Sequence, residues 1–167
     1  MNDDLTRLDI EKMQAELDER RLKLMPELIE EVKRTRAFGD LSENYEYKAA
    51  KQAQNRNKGR IRYLERMIAS AHVIEDKSGT DEVGLYDKVT LYIPDDDDTE
   101  VVQVVTTVRC DPLSGLISNQ SPLGRELLGK KVGDRLTVHV SDSYSYEAEV
   151  KSIEKQTDDG SAPLLQY

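Results

Sequence analysis

Residues 38–50 read Phe38-Gly39-Asp40-Leu41-Ser42-Glu43-Asn44-Tyr45-Glu46-Tyr47-Lys48-Ala49-Ala50, and the break they make decides the fold. Downstream, Tyr47, Ala50, Gln54, Asn57, Ile61, Leu64, Ile68 and Ala71 recur at alternating steps of three and four, the seam of a coiled coil. The polar pair Gln54 and Asn57 suits a register-fixing role. Upstream, Ile10, Met13, Leu17 and Leu24 share one helical phase, and Leu28 and Val32 continue it about one residue out of step. Pro26 stands at that shift, where a missing amide and a clash with the preceding turn kink or restart a helix. Because Phe38-Gly39-Asp40 interrupts the pattern, the block is predicted to fold back as a helical hairpin with its tip near 38–45. Arms of about 33 residues would reach about 50 Å.

Composition agrees with a long solvated arm. Of 167 residues, 34% are charged and 37% hydrophobic, more charge and less apolar content than one compact core needs. The net charge of −9 opposes general duplex binding, which requires a basic footprint. That charge is unevenly spread. Residues 1–77 carry 16 basic and 16 acidic side chains, so the whole excess lies in residues 78–167, with 8 basic and 17 acidic. Within the first block, residues 33–66 hold 10 basic and 4 acidic side chains, a +6 window at the hairpin tip. A single cysteine, Cys110, excludes an internal disulfide and is expected to be a buried or half-buried thiol; with only His72 and His139 it cannot build an ordinary zinc site. No apolar run approaches a membrane span, and the acidic start lacks the basic character of a signal peptide, so a soluble cytoplasmic protein is expected.

The composition changes at Lys77-Ser78-Gly79-Thr80. Strand-like runs at 88–93, 101–108, 136–140 and 146–153 predict a small sheet domain over 78–154. A short helix fits between them, with Ser121 as N-cap, Pro122 at its first position and Gly129 ending it. Asp95–Asp98, between two strands, reads as a hairpin loop, with a metal role as the lesser alternative. Residues 155–167 lack periodicity and are expected to form a flexible tail.

The chemistry concentrates at the apex. Asp40 and Glu43, three apart, would face the same side of a starting helix and could approach one hard cation. Two carboxylates are too few to hold Mg²⁺ alone, so such a tip makes sense if another molecule completes the shell. The competing reading is a capping box, with Asp40 and Glu43 satisfying the first amides of the helix. Cations surround the pair, and Arg34, Arg36, Lys48, Lys51 and Arg56 are the candidates for nucleic-acid contact, against the plain alternative of a solvated face.

The segment Gly39 to Tyr47, followed by Lys48-Ala49-Ala50-Lys51 and Gly59-Arg60-Ile61, resembles the GreA/GreB family of bacterial transcript-cleavage factors. The likeness continues through Ser121-Pro122-Leu123-Gly124 and Leu127-Leu128-Gly129-Lys130-Lys131-Val132-Gly133-Asp134, and spans about residues 8 to 154. It implies an α+β fold, an N-terminal antiparallel coiled-coil hairpin (1–77) followed by a small FKBP-like domain (78–154) with one short helix. It also implies that the second domain docks on RNA polymerase and the hairpin enters the secondary channel. There Asp40 and Glu43 would help hold an Mg²⁺ shared with the polymerase and activate water against the 3′ end of backtracked RNA, making the protein an activating cofactor and not an enzyme. Ser42, Asn44 and Tyr47 match tip positions that shape the turn or touch polymerase, and Ser121, Pro122, Leu123 and Gly124 fall in the docking domain. Tyr45 departs from the family, which commonly has a small residue there, and this keeps a channel-binding regulator without cleavage activity as the alternative. A prolyl isomerase is disfavoured because the chain lacks Trp and its one Phe, Phe38, lies at the tip. A purely structural coiled coil leaves the basic window and acid pair unexplained. The hairpin satisfies its own seam, so a monomer is expected.

Overall fold

The computed structural model describes residues 3–40 and 43–166. One compact unit contains Ile10–Ala71; a second joins Asp4–Asp9 to His72–Gln166. Residues 72–77, placed with the hairpin by composition, cluster with the sheet unit instead.

The first arm comprises α1 (Arg7–Glu19), whose residues up to Asp9 cluster with the sheet unit, a π-helical turn (Arg20–Leu24) and α2 (Met25–Arg36), and the second is α3 (Tyr45–Ser70). Thr6 and Asp9 open α1 with a reciprocal capping box: the Asp9 amide donates to Thr6 Oγ1 (3.2 Å) and the Thr6 amide to Asp9 Oδ2 (2.9 Å). The π turn, closed by the Met25 amide on the Arg20 carbonyl, inserts one residue into the helical count. That insertion is the one-residue phase shift seen between Leu24 and Leu28. Pro26 follows it inside the first turn of α2, where its missing amide costs least.

The arms run antiparallel, since Glu16 meets Arg60 and Arg20 meets Asn57. Met13 and Leu17 are buried on α1; Ala50, Gln54, Asn57, Arg60, Leu64 and Met67 are buried on α3. The expected seam therefore holds at Ala50, Gln54, Asn57 and Leu64 but moves elsewhere: Ile61 and Ile68 are half-buried, while Arg60 and Met67 take the inner positions. Arg60 is drawn inward by Glu16, which its Nε and Nη2 contact at 2.8 and 3.0 Å. Arg20 Nε shares the same carboxylate at 2.7 Å. Burial acts to raise the Glu16 pKa, but hydrogen bonds from Arg60 and Arg20 outweigh it and hold the carboxyl below its ordinary value.

The sheet unit opens with two short parallel strands, β1 (Asp4–Leu5) and β2 (His72–Val73), that the sequence reading missed because each is only two residues long. Its main sheet contains β3 (Lys88–Ile93), β4 (Asp98–Val105), β5 (Leu116–Ser118), β6 (Arg135–Ser141) and β7 (Tyr144–Glu154), in the order β5-β4-β3-β7-β6. All neighbours are antiparallel except β4 and β5. The run 94–97 is the turn between β3 and β4, with Asp97 at φ +46° and its Oδ1 accepting from the Tyr92 hydroxyl at 2.7 Å. Alternate residues of β3, Val89, Leu91 and Ile93, point into the core. The short α4 (Pro122–Leu127) closes it with Leu127, which is fully buried.

The flexible tail expected from 155 onward is not what forms among the described residues. Arg109 is wholly buried, and its guanidinium pairs with Asp9 (3.0 Å) and, through two bonds, with Asp158 (2.9 and 2.6 Å). The buried Asp87 accepts from Lys155 Nζ (2.5 Å) and the Gln156 amide (2.8 Å), and the Leu165 amide donates to the Val108 carbonyl (2.7 Å). These attachments use paired charge and backbone bonds, which leave no periodic apolar signature. Cys110 is half-buried, and burial raises its thiol pKa.

Candidate functional site

The tip is built from both helix ends. α2 stops at Arg36, Gly39 adopts φ +118°, a conformation that costs a side-chain-bearing residue, and α3 restarts at Tyr45. Asn44 is the N-cap of α3: its Oδ1 accepts from the Tyr47 amide at 3.0 Å. Its Nδ2 donates to the Thr35 carbonyl at 2.7 Å, the same oxygen that accepts from the Phe38 amide at 3.2 Å. Thr35 is buried, with its hydroxyl bonded to the Glu31 carbonyl at 2.8 Å. One asparagine therefore caps the second arm and ties it to the last turn of the first.

This cap corrects the local reading of the acid pair. Asp40 and Glu43 precede the helix, so they neither share a face of α3 nor form its capping box. Both are exposed, ahead of a 26-residue helix whose N-terminus favours negative charge. Among the described residues no group of three or more His, Cys, Asp or Glu is arranged to hold a metal. The two carboxylates are hard oxygen donors of the kind Mg²⁺ takes, and two are fewer than its shell needs. Ser42 lies outside the described residues.

Arg34, Arg36, Lys48, Lys51 and Arg56 are all exposed. Arg34 is held by Glu31 through bonds of 2.9 and 2.6 Å and also lies 5.2 Å from the Phe38 ring centroid. The hydrogen bond from Arg34 holds the Glu31 carboxyl below its ordinary pKa. Lys48 Nζ lies 5.6 Å from the Tyr45 centroid, and Lys51 reaches Gln54 at 3.4 Å. Tyr47, half-buried, receives the cap through its amide. Arg60, counted with the basic window in sequence, is withdrawn from it by burial. Sequence reasoning missed Thr35 and the bridging role of Asn44; an Asn immediately before the first residue of a helical pattern is the signal that would have found the cap.

In the sheet unit, Ser121 Oγ accepts from the Gly124 amide (3.0 Å) and donates to the Ser118 carbonyl (2.6 Å). Gly124 is buried, and a Cβ there would meet the Ser118 carbonyl oxygen at 2.1 Å. Leu123 packs on the core. Of the four predicted docking residues, only Pro122 is exposed, followed on α4 by exposed Arg125 and Glu126.

The described residues thus form a helical hairpin with a cation-flanked tip carrying two acids, joined in sequence to a small mixed-sheet domain with one short helix. Residues 4–73 match the family described as transcription elongation factor, N-terminal, and residues 77–155 the one described as transcription elongation factor, GreA/GreB, C-terminal. The chain belongs to the GreA/GreB family. It is 44% identical over 135 residues to transcription elongation factor GreA of Lactococcus lactis subsp. cremoris (strain MG1363), covering 80% of this chain and 86% of that one. It is 43% identical over 128 residues to GreA of Bacillus subtilis (strain 168), covering 77% and 82%. Among solved structures, GreA factor homolog 1 (Gfh1) of Thermus thermophilus is similar at 29% identity, 93% and 100% coverage and a TM-score of 0.43. No helix among the described residues is long and apolar enough to cross a membrane.

Proposed function

We propose that the protein binds bacterial RNA polymerase in the cytoplasm as a monomer, inserts its hairpin into the secondary channel, and stimulates the polymerase's own cleavage of backtracked RNA. Asp40 and Glu43 would help hold an Mg²⁺ shared with the polymerase active site and position the attacking water, with the polymerase supplying the remaining ligands. Such an ion would supply charge stabilisation at the phosphodiester when bound, and this chain's residues would contribute position and negative charge. Arg34, Arg36, Lys48, Lys51 and Arg56 attract the extruded RNA backbone. The exposed end of the sheet unit at Pro122 docks on the channel rim, with Ser121, Leu123 and Gly124 setting its shape. Ser42 and Tyr47 adjoin the acid pair as tip contacts to polymerase.

The observation that carries this reading is the cap. Asn44 and not Asp40 is the N-cap of α3, and Asp40 and Glu43 stand exposed just ahead of it inside a +6 window, where a partner's ion can reach them. A backtracked elongation complex with end-labelled RNA tests it: wild type is expected to release 3′ fragments, and Asp40→Asn and Glu43→Gln to lose that release while still binding polymerase. Binding by the wild type with no fragment release would instead establish a channel-occupying regulator, the alternative that Tyr45 keeps open.

A further inference from the structure

We infer that Phe38 and Tyr45 form an aromatic platform that stacks a base of single-stranded RNA at the hairpin tip; this rests on the reading that the tip meets extruded RNA. The two rings bracket the acid pair in sequence, Phe38 just after α2 and Tyr45 as the first residue of α3. They belong to one end of the hairpin because the Phe38 amide and the Asn44 side chain bond the same Thr35 oxygen.

Both are exposed where large apolar side chains are ordinarily covered, Tyr45 at 80% and Phe38 at 56%. Each ring also carries its own cation: Lys48 lies 5.6 Å from the Tyr45 centroid and Arg34 5.2 Å from that of Phe38. A cation over one face leaves the opposite face for a base and places positive charge beside the phosphate that follows it. Exposed aromatics interleaved with cations are how single strands are held without sequence preference. A protein pocket fits less well. Burying the Tyr45 ring would desolvate the Lys48 ammonium beside it, and burying the Phe38 ring would desolvate the Arg34–Glu31 pair, which costs free energy that a flat base stacked on an exposed face does not.

The test uses the full-length protein on a backtracked elongation complex carrying 4-thiouridine at the RNA 3′ end, with Mg²⁺ chelated so that the RNA stays intact. On irradiation, wild type is expected to crosslink to RNA at a peptide containing Phe38 or Tyr45. Tyr45→Ala should reduce that crosslink about tenfold, within the range of base stacking lost on alanine substitution, and Tyr45→Phe should restore it. An unchanged crosslink in both Phe38→Ala and Tyr45→Ala overturns the platform. So does equal weakening of polymerase binding by Tyr45→Ala with and without extruded RNA, which would make the ring a protein contact. If wild type cleaves backtracked RNA in Mg²⁺ but no crosslink maps to the tip, the platform alone fails. Absence of both cleavage and crosslink overturns the underlying reading as well.

Discussion

Asn44 makes two bonds that can be removed one at a time, and the hairpin tip should respond in proportion. Its Oδ1 caps α3 at the Tyr47 amide (3.0 Å) and its Nδ2 ties α3 to the Thr35 carbonyl (2.7 Å). Asn44→Asp keeps an equally good cap but replaces the donor with a carboxylate oxygen facing a carbonyl, costing about 1 kcal/mol. Asn44→Ala removes both bonds, costing about 2 kcal/mol when a cap of about 1 is added to a hydrogen bond of about 1. The two compact units need not unfold together, so a single melting curve would blur the effect. Amide hydrogen exchange resolves it locally. The Tyr47 amide should lose protection in Asn44→Ala by about thirtyfold and in Asn44→Asp by about fivefold, these being the same energies expressed as ratios. Equal protection of Tyr47 in wild type and Asn44→Ala would refute the cap, and with it the claim that Asp40 and Glu43 are spared that duty.

Glu16 joins Arg60 and Arg20, and its lowered carboxyl pKa means that its stabilisation is present above about pH 4.5 and is lost as pH falls through the lower, folded-state value. Denaturant titrations should therefore show Glu16→Gln weaker than wild type by about 2 kcal/mol at pH 7, with the gap closing as the pH falls below about 4.5. Gly124→Ala places a methyl group 2.1 Å from the Ser118 carbonyl oxygen and should destabilise the sheet unit by about 2 kcal/mol or more, read as earlier denaturation of the sheet signal. Because burial raises the Cys110 thiol pKa, its reaction with a disulfide reagent at pH 8 should be slower than that of free cysteine, and should approach it only at higher pH or on unfolding.

The hairpin was legible because its seam is periodic: Ala50, Gln54, Asn57 and Leu64 are buried as the spacing predicts, and the phase shift near Pro26 marks a real π turn. Arg60 was not legible as an inner residue, because charge alone reads as surface; only Glu16, 44 residues away, makes its burial favourable. The end of the chain misled for the same reason, since Arg109 and Asp87 recruit Asp158 and Lys155 by charge without any apolar pattern. At the tip, motif spacing offered Asp40 and Glu43 as either a metal pair or a capping box, and the cap of α3 is Asn44. Asp-x-x-Glu and Asn are both valid caps, and which one wins depends on where α2 releases the chain, which Thr35 and Gly39 set from the other arm.

The measurement that bears most directly on the tip acids is the Mg²⁺ dependence of RNA cleavage in a backtracked complex saturated with factor. Asp40→Asn leaves the Asn44 cap in place, and its polymerase binding, measured alongside, should equal wild type. Its cleavage should need at least about tenfold more Mg²⁺, equivalent to about 1.4 kcal/mol of lost ion stabilisation. Cleavage by Asp40→Asn at the wild-type rate, with the wild-type Mg²⁺ curve, would contradict a metal role for the tip.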